Sequence, residues 1–359
     1  MPSKVYCVRT SDDEPVDSVS KKLTLLIETS GVLNCITDND FTAIKIHFGD
    51  EGNTGHIKHE WAGEAASCVS RRTPNAFISD SNVIYKMGRR ANAVEHLKIA
   101  DEHGFNIENI GVPVIIADGL RGMNFIDVPI SGKHFKTVKI ASDFVSSNSM
   151  LAMSHMTGHI VTGMGCAIKN IGMGCAARRG KYEQHCGAYP DVNADHCVGC
   201  GACVKVCPAG CLTLEHRKIS FNKASCIGCG ECAVVCRTKA IEIRWSETLE
   251  NLQEKMVEYA SGTIKALKGK IGYINFLIKV TKDCDCLAKD DPRIVRDIGI
   301  LASSDPVAID KASVDMVLQA AGNDIFKAGY PETDWSAQLK YAQALGLGTL
   351  DYSLEVIDG

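Results

Sequence analysis

Cys197-Val198-Gly199-Cys200-Gly201-Ala202-Cys203-Val204-Lys205-Val206-Cys207-Pro208 sets a spacing that recurs 29 residues later, at Cys226-Ile227-Gly228-Cys229-Gly230-Glu231-Cys232-Ala233-Val234-Val235-Cys236. Each copy reads C-x₂-C-x₂-C-x₃-C, the bacterial ferredoxin pattern for a [4Fe–4S] cluster. Three thiolates at intervals of three can grip three irons from one tight loop. The fourth cysteine faces away and reaches the partner cluster. The spacing therefore assigns Cys197, Cys200, Cys203 and Cys236 to one cluster, and Cys226, Cys229, Cys232 and Cys207 to the other. A single C-x-x-C pair also suits tetrahedral zinc; two complete copies make zinc the weaker reading. Between the copies, Leu212–Leu214 and Lys218–Phe221 read as a hairpin, and Ile241–Arg244 as a last short strand. Residues 188–245 are thus expected to form a small α+β two-cluster ferredoxin-like domain.

On both sides of that segment the chain reads as α/β. Phe41–Phe48 is a β-branched, partly alternating run that ends in the Gly49–Gly55 turn. A helix is expected near Lys58–Val69, strands at Ala76–Ser79 and Val83–Tyr85, and a helix over Asn92–His103 closed by Gly104. Val112–Ala117 reads as a strand that leads into the turn Asp118–Gly122. After the cysteine runs, Leu249, Leu252, Met256, Ala260, Ile264 and Leu267 form one apolar helical face. Ile271–Val280 and Asp297–Leu301 follow as strands. Asp305-Pro306 opens a helix that ends by Gly322, and Thr333 opens another that closes at Gly346. Strands alternating with helices predict a largely parallel sheet. The small domain would then be inserted between two parts of one α/β domain, residues 1–187 and 246–359.

Totals narrow the function. With 359 residues and 45% hydrophobic content, the chain can bury a sizeable core. A formal net charge of −4 offers nucleic acid and membranes no attraction. No apolar run approaches a membrane span and the N-terminus has no secretory h-region, so a reducing, oxygen-poor cytoplasm is the expected compartment. The nine cysteines beyond the eight cluster thiols, out of 17, are dispersed and odd in number, which argues against a disulfide framework.

Ligands of parallel sheets gather at the carboxyl ends of strands. The loops Gly49–Gly55 and Asp118–Gly122 are candidates there, although Gly-rich turns more often only reverse the chain. His155, His159, Lys169, Asn170, Cys175, His185, Cys284 and Cys286 also stand at loop ends. The Gly-rich segment Gly163–Cys175 and the basic residues Arg178, Arg179 and Lys181 suit a close approach to an anion or cofactor. Lys169, His159 and His155 are the candidate catalytic residues. Cys284, Cys286, Cys175 and His185 are candidate ligands for an additional metal. A redox thiol at Cys284 or Cys286, or ordinary packing, are the competing readings.

Most of the chain, from about Phe41 to Gln319, resembles the iron–sulfur centre proteins known as domain of unknown function 362. The residues that carry the resemblance are Lys45–Gly55, Ile78–Tyr85 with Arg89, Arg90 and Asn92, and Asp118-Gly119. Further matches are Ser154-His155 with Gly158-His159, Ile168–Asn170 with Gly172–Cys175, Cys284-Asp285-Cys286, and Ser304–Asp310. Thr157 stands where such proteins often carry Lys, and Arg237 where the second run would usually have Pro. The resemblance implies an α/β domain carrying a two-cluster module, and no particular reaction. The expected function is an iron–sulfur oxidoreductase that takes electrons from a redox partner protein to a small-molecule substrate or metal site. The alternative is a non-enzymatic electron carrier or metal-handling protein that docks a partner reductase.

Overall fold

The structure is a computed structural model and describes residues 2–84, 89–185, 190–207, 209–226, 230–242 and 248–358. Tyr85, Pro208, Cys229, Arg244 and the expected domain limits at 187–188 and 245–246 lie outside the described residues.

An eight-stranded sheet is the centre of the molecule. Its order is Tyr352–Val356, Ser3–Arg9, Gly299–Ser303, Ile271–Leu277, Ser149–His155, Thr42–Lys45, Ala76–Asp80, Val114–Ile116. Five neighbouring pairs are parallel. Gly299–Ser303 runs against both its neighbours. The expectation of a largely parallel α/β sheet holds, with that one strand reversed.

Both faces of the sheet are covered, so its central strands are apolar throughout rather than alternating. Every residue of Ile271–Leu277 is buried. Within it, Ile274 and Phe276 face one core and Tyr273 and Leu277 the other, as period two requires. On the first face, helices Val16–Ser30 and His59–Ser70 pack down, and Trp61 stacks on Phe276 with ring centroids 5.6 Å apart. On the second, Leu249–Ala266 and Pro306–Ala321 lie beside the short helix Ala167–Gly172. Thr248 caps the first of these through Asn251 N–H at 3.2 Å. Asp305 caps the second through Val307 and Ala308 N–H, both at 2.9 Å.

Two local expectations need correcting. Val83 and Ile84 are not in a strand: Val83 N–H bonds to the Arg90 carbonyl, so the chain turns back there instead of pairing. Thr333 is buried and does not open a helix. The helix is Ser336–Ala344, and it is the Asp334 carboxylate that accepts Ser336 N–H at 2.9 Å. The Gly-rich segment folds as the second strand of a hairpin, Thr157–His159 with Gly163–Gly165, followed by the helix Ala167–Gly172. Gly172 is there for close packing: a Cβ would lie 2.3 Å from the Met256 carbonyl oxygen.

Between residues 190 and 242 the chain builds two similar halves around a small core of its own. Among the described residues, each half has a 3-10 turn, a left-handed glycine and a five-residue helix. These are Ala194–His196, Gly201 and Ala202–Val206, then Lys223–Ser225, Gly230 and Glu231–Val235. The hairpin Leu212–Glu215 with Lys218–Phe221 links them, and Asp191–Val192 pairs with Ile241–Glu242.

Candidate active site

A cleft of about 650 Å³ opens where the parallel strands end. Lys45, Asp80 and His155 are the last residues of their strands, and all three line it. The loop after Ile271–Leu277 supplies Cys284, Asp285 and Cys286, and the hairpin supplies Thr157 and His159. Helix Ala167–Gly172 supplies Lys169 and Asn170, and helix Arg178–His185 supplies Lys181 and His185.

These side chains are held firmly. The Asp310 carboxylate accepts Ala167 N–H at 2.8 Å and Ile168 N–H at 2.9 Å, which fixes the start of the Lys169 helix. Asn170 then reaches back to the sheet, donating to the Met153 carbonyl at 2.9 Å and to Ser154 Oγ at 3.0 Å. Its Oδ1 accepts from Lys45 Nζ at 2.7 Å, and Lys45 also pairs with Asp80 at 3.0 Å. Burial raises the Asp80 carboxyl, but Lys45 and His96 outweigh it and hold the group well below the ordinary range.

His155 is occupied at both ring nitrogens, Nδ1 on Asp285 at 2.7 Å and Nε2 on the Ile278 carbonyl at 2.8 Å. Burial lowers its pKa, but the Asp285 carboxylate prevails and the net shift is upward. His155 is therefore an imidazolium that pins the middle of the Cys-Asp-Cys loop. Arg90 donates to the Cys286 carbonyl at 3.2 Å and steadies the same loop from the other side.

Lys169 is different. Its Nζ has no hydrogen-bond or ion-pair partner among the described residues, and burial brings its pKa down to about 8. Lys181 donates to Ser81 Oγ at 2.6 Å and to the carbonyls of Asn82 and Ser81 at 2.7 and 3.2 Å, and is likewise lowered to about 8 by burial.

Cys284 and Cys286 are joined as a disulfide, so the dispersed cysteines do yield one bridge, across a single residue. The two sulfurs and a His159 ring nitrogen lie within 4.8 Å of one another, a group able to hold a metal ion once the thiols are free. His159 Nδ1 accepts Thr162 N–H at 3.1 Å and Val161 N–H at 3.3 Å and lies 2.9 Å from Thr162 Oγ1, which donates to the Met164 carbonyl at 2.7 Å; these contacts fix the ring with its proton on Nε2.

Of the residues expected from the sequence, Lys169, Asn170, His155, His159, His185, Cys284 and Cys286 meet in this cleft. Cys175 does not. It is fully buried in the core beneath, where burial pushes its thiol up to about 12. The loops Gly49–Gly55 and Asp118–Gly122 stay outside the lining. Gly55 backs onto Asp285, and Asp118 is a buried anchor for Asn82 and Arg178 N–H groups. Lys45, His47 and Asp80 are cleft residues that the sequence reading did not single out. Their signal is visible: two basic residues in period two, Lys45 and His47, interrupt an otherwise apolar strand run.

In the small segment, Cys197, Cys200, Cys203 and Cys236 line one cavity together, drawn from both halves. Cys207 stands with Cys211 at an Sγ–Sγ distance of 3.3 Å. For Cys207 and Cys236 alike, burial disfavours the thiolate, but hydrogen bonds from neighbouring groups outweigh it and lower the pKa.

The match to known families covers residues 42–315 and is to the family described as domain of unknown function 362. The chain belongs to this family. No curated protein matches it. Among solved structures, a Thermotoga maritima protein from a structural genomics programme superposes with a TM-score of 0.44 at 9% identity, over 88% of this chain and 61% of that one. Lactate racemase apoprotein from Thermoanaerobacterium thermosaccharolyticum superposes with a TM-score of 0.39 at 8% identity, over 76% and 50%. The chain thus spans three-fifths and one-half of the lengths of these two proteins. No helix among the described residues is long and apolar enough to cross a membrane.

Proposed function

We propose that this member of the family is an iron–sulfur redox protein, in which two [4Fe–4S] clusters serve a reductive centre at Cys284, Cys286 and His159. The observation that carries this reading is the double role of helix Arg178–His185. Its Arg178 makes a buried ion pair with Glu231, in the helix Glu231–Val235 of the second cysteine run. A Cβ on Gly230 would meet Tyr182 of the same helix at 3.3 Å. On the same helix, Lys181 and His185 line the cleft.

The donor sets suit the clusters. Four thiols share one cavity, and neighbouring hydrogen bonds lower the pKa of both fourth cysteines. Cys197, Cys200, Cys203 and Cys236 would hold one cluster, and Cys226, Cys229, Cys232 and Cys207 the other. When bound, each supplies or accepts one electron at a time. At the cleft, the Cys284–Cys286 bond takes up two electrons and two protons and opens to two thiols. Lys169, which lines the same cleft and has its pKa lowered to about 8, would pass protons to the sulfurs. His155 acts as a positioning residue, because both its nitrogens are committed. A redox partner protein would restore the electrons, and a small molecule would be the final acceptor.

The test is anaerobic. Purified protein should be brown, with about eight irons per chain and matching acid-labile sulfide. Reduction should release two titratable thiols that vanish in a Cys284→Ser/Cys286→Ser variant. Colourless protein without labile sulfide would overturn the reading.

The 4.8 Å group favours a second reading, in which the reduced pair and His159 bind a soft or borderline metal and keep a coordination position open to the cleft. Zinc retained by the reduced protein and lost in the double variant would support it.

A further inference from the structure

Most charges in the cleft cancel in pairs. Lys45 faces Asp80, Arg90 faces Asp50, His155 faces Asp285, and Lys289 faces Asp283 and Asp291. Lys181 is surrounded by three neutral oxygens that use its three protons. Lys169 is the cation left with no hydrogen-bond or ion-pair partner among the described residues. Its stem is packed against Gly165, where a Cβ would come within 2.5 Å of Lys169 Cδ, so its ammonium is positioned rather than free to swing. Around it the walls are apolar, with Val83, Ile84, Met153, Val161 and Met173. His47 adds a neutral donor. Its Nδ1 accepts Gly49 N–H at 2.9 Å, which leaves the proton on Nε2, and that nitrogen has no partner among the described residues.

We propose that the cleft takes an organic carboxylate with an apolar body, its carboxylate seated on Lys169 Nζ beside the Cys284/Cys286 centre. A charge-assisted bond to a buried ammonium is stronger than one to a neutral donor, and only an anion balances this site. A phosphate is the poorer fit. The nearest helix start could have offered backbone N–H groups, but Asp310 already takes those of Ala167 and Ile168. One singly charged lysine matches one carboxylate.

This inference rests on the reading of the cleft as the working site, and its test separates the two. Octanoate, 1-octanol and octylammonium would be titrated calorimetrically into the anaerobic full-length protein. Octanoate should bind about tenfold tighter than octanol, and octylammonium weakest. Lys169→Met should lower octanoate affinity about tenfold and leave octanol unchanged, and Lys169→Arg should retain most of it. Equal binding of octanoate and octanol, no octanoate binding, or a Lys169→Met variant like the parent would overturn the inference. Calorimetry needs no electron flow. Tight octanoate binding without thiol release on reduction would sink the redox reading alone, and thiol release without a preference for octanoate would sink this one alone.

Discussion

Asp310 shows what a buried side chain costs and returns. Burial pushes its carboxyl up to about 6, against the opposing pull of Ala167 and Ile168 N–H and of Asn275. Asp118 is likewise raised to about 6 by burial. A carboxyl raised above its unfolded value favours the folded state at low pH. That contribution is full below about pH 4 and is lost as pH rises through 6, on the order of 2–3 kcal/mol for each group. The thermal midpoint should therefore fall between pH 5 and pH 8 by more than the rest of the chain explains. Asp118→Asn and Asp310→Asn should each shrink that fall, and variants that track the parent at both pH values would refute the assignment. Lys169 is the second residue whose environment sets its chemistry. Lys169→Met should lower turnover at least a hundredfold while iron content stays unchanged, since general acid–base groups typically contribute about 10²–10⁴. Single residues were legible where a charge broke a pattern. Lys169 and His159 stood out beside glycines, whereas Cys175 looked equivalent to Cys284 because sequence does not say which thiol faces a core.

Among the elements, the hairpin Thr157–His159 with Gly163–Gly165 has the tightest tolerance. Gly158 N–H bonds to the Thr281 carbonyl at 2.9 Å, and a Cβ on Gly158 would lie 2.1 Å from the Lys282 carbonyl oxygen. Gly158→Ala must push the hairpin off the Cys284–Cys286 loop and carry His159 with it. The variant should fold, yet bind zinc in its reduced form at least about tenfold more weakly, as a chromophoric chelator would report. Parent-like affinity would show that His159 is not a ligand. At this scale periodicity served the long helices well: the apolar face read from Leu249 to Leu267 is the helix Leu249–Ala266. It failed for Ser3–Arg9 and Tyr352–Val356, which are only partly buried. They form strands because Gly299–Ser303 and one another offer partners far away in sequence. Val83–Ile84 fails for the opposite reason, being apolar with no strand beside it among the described residues.

For the whole molecule, the contact between the cysteine-rich segment and the α/β body is where the proposed function is most exposed. Arg178 and Glu231 form a buried ion pair, and removing one partner of such a pair typically costs about 3–5 kcal/mol. Glu231→Ala should leave iron and labile sulfide per chain unchanged, but slow release of the cleft thiols on reduction about tenfold or more, as followed by stopped-flow thiol labelling. Unchanged rates would mean that electrons take another path. The doubled cysteine spacing announces the segment from sequence alone, and the alternation around it announces the sheet. How the two parts meet was not legible, because Arg178, Tyr182 and Glu231 look like ordinary surface residues until the fold buries them against each other.

Tyr182 and His185 are three residues apart on one helix, about 4.5 Å along its axis. A span that short is bridged by covalent bonds and fixed packing, so no part of the molecule has to swing for charge to cross it. Enzymes whose carrier domains must travel slow down in viscous solvents such as glycerol or sucrose. Under the proposed function, internal transfer should be indifferent to viscosity, leaving encounter with an outside electron donor as the solvent-sensitive event.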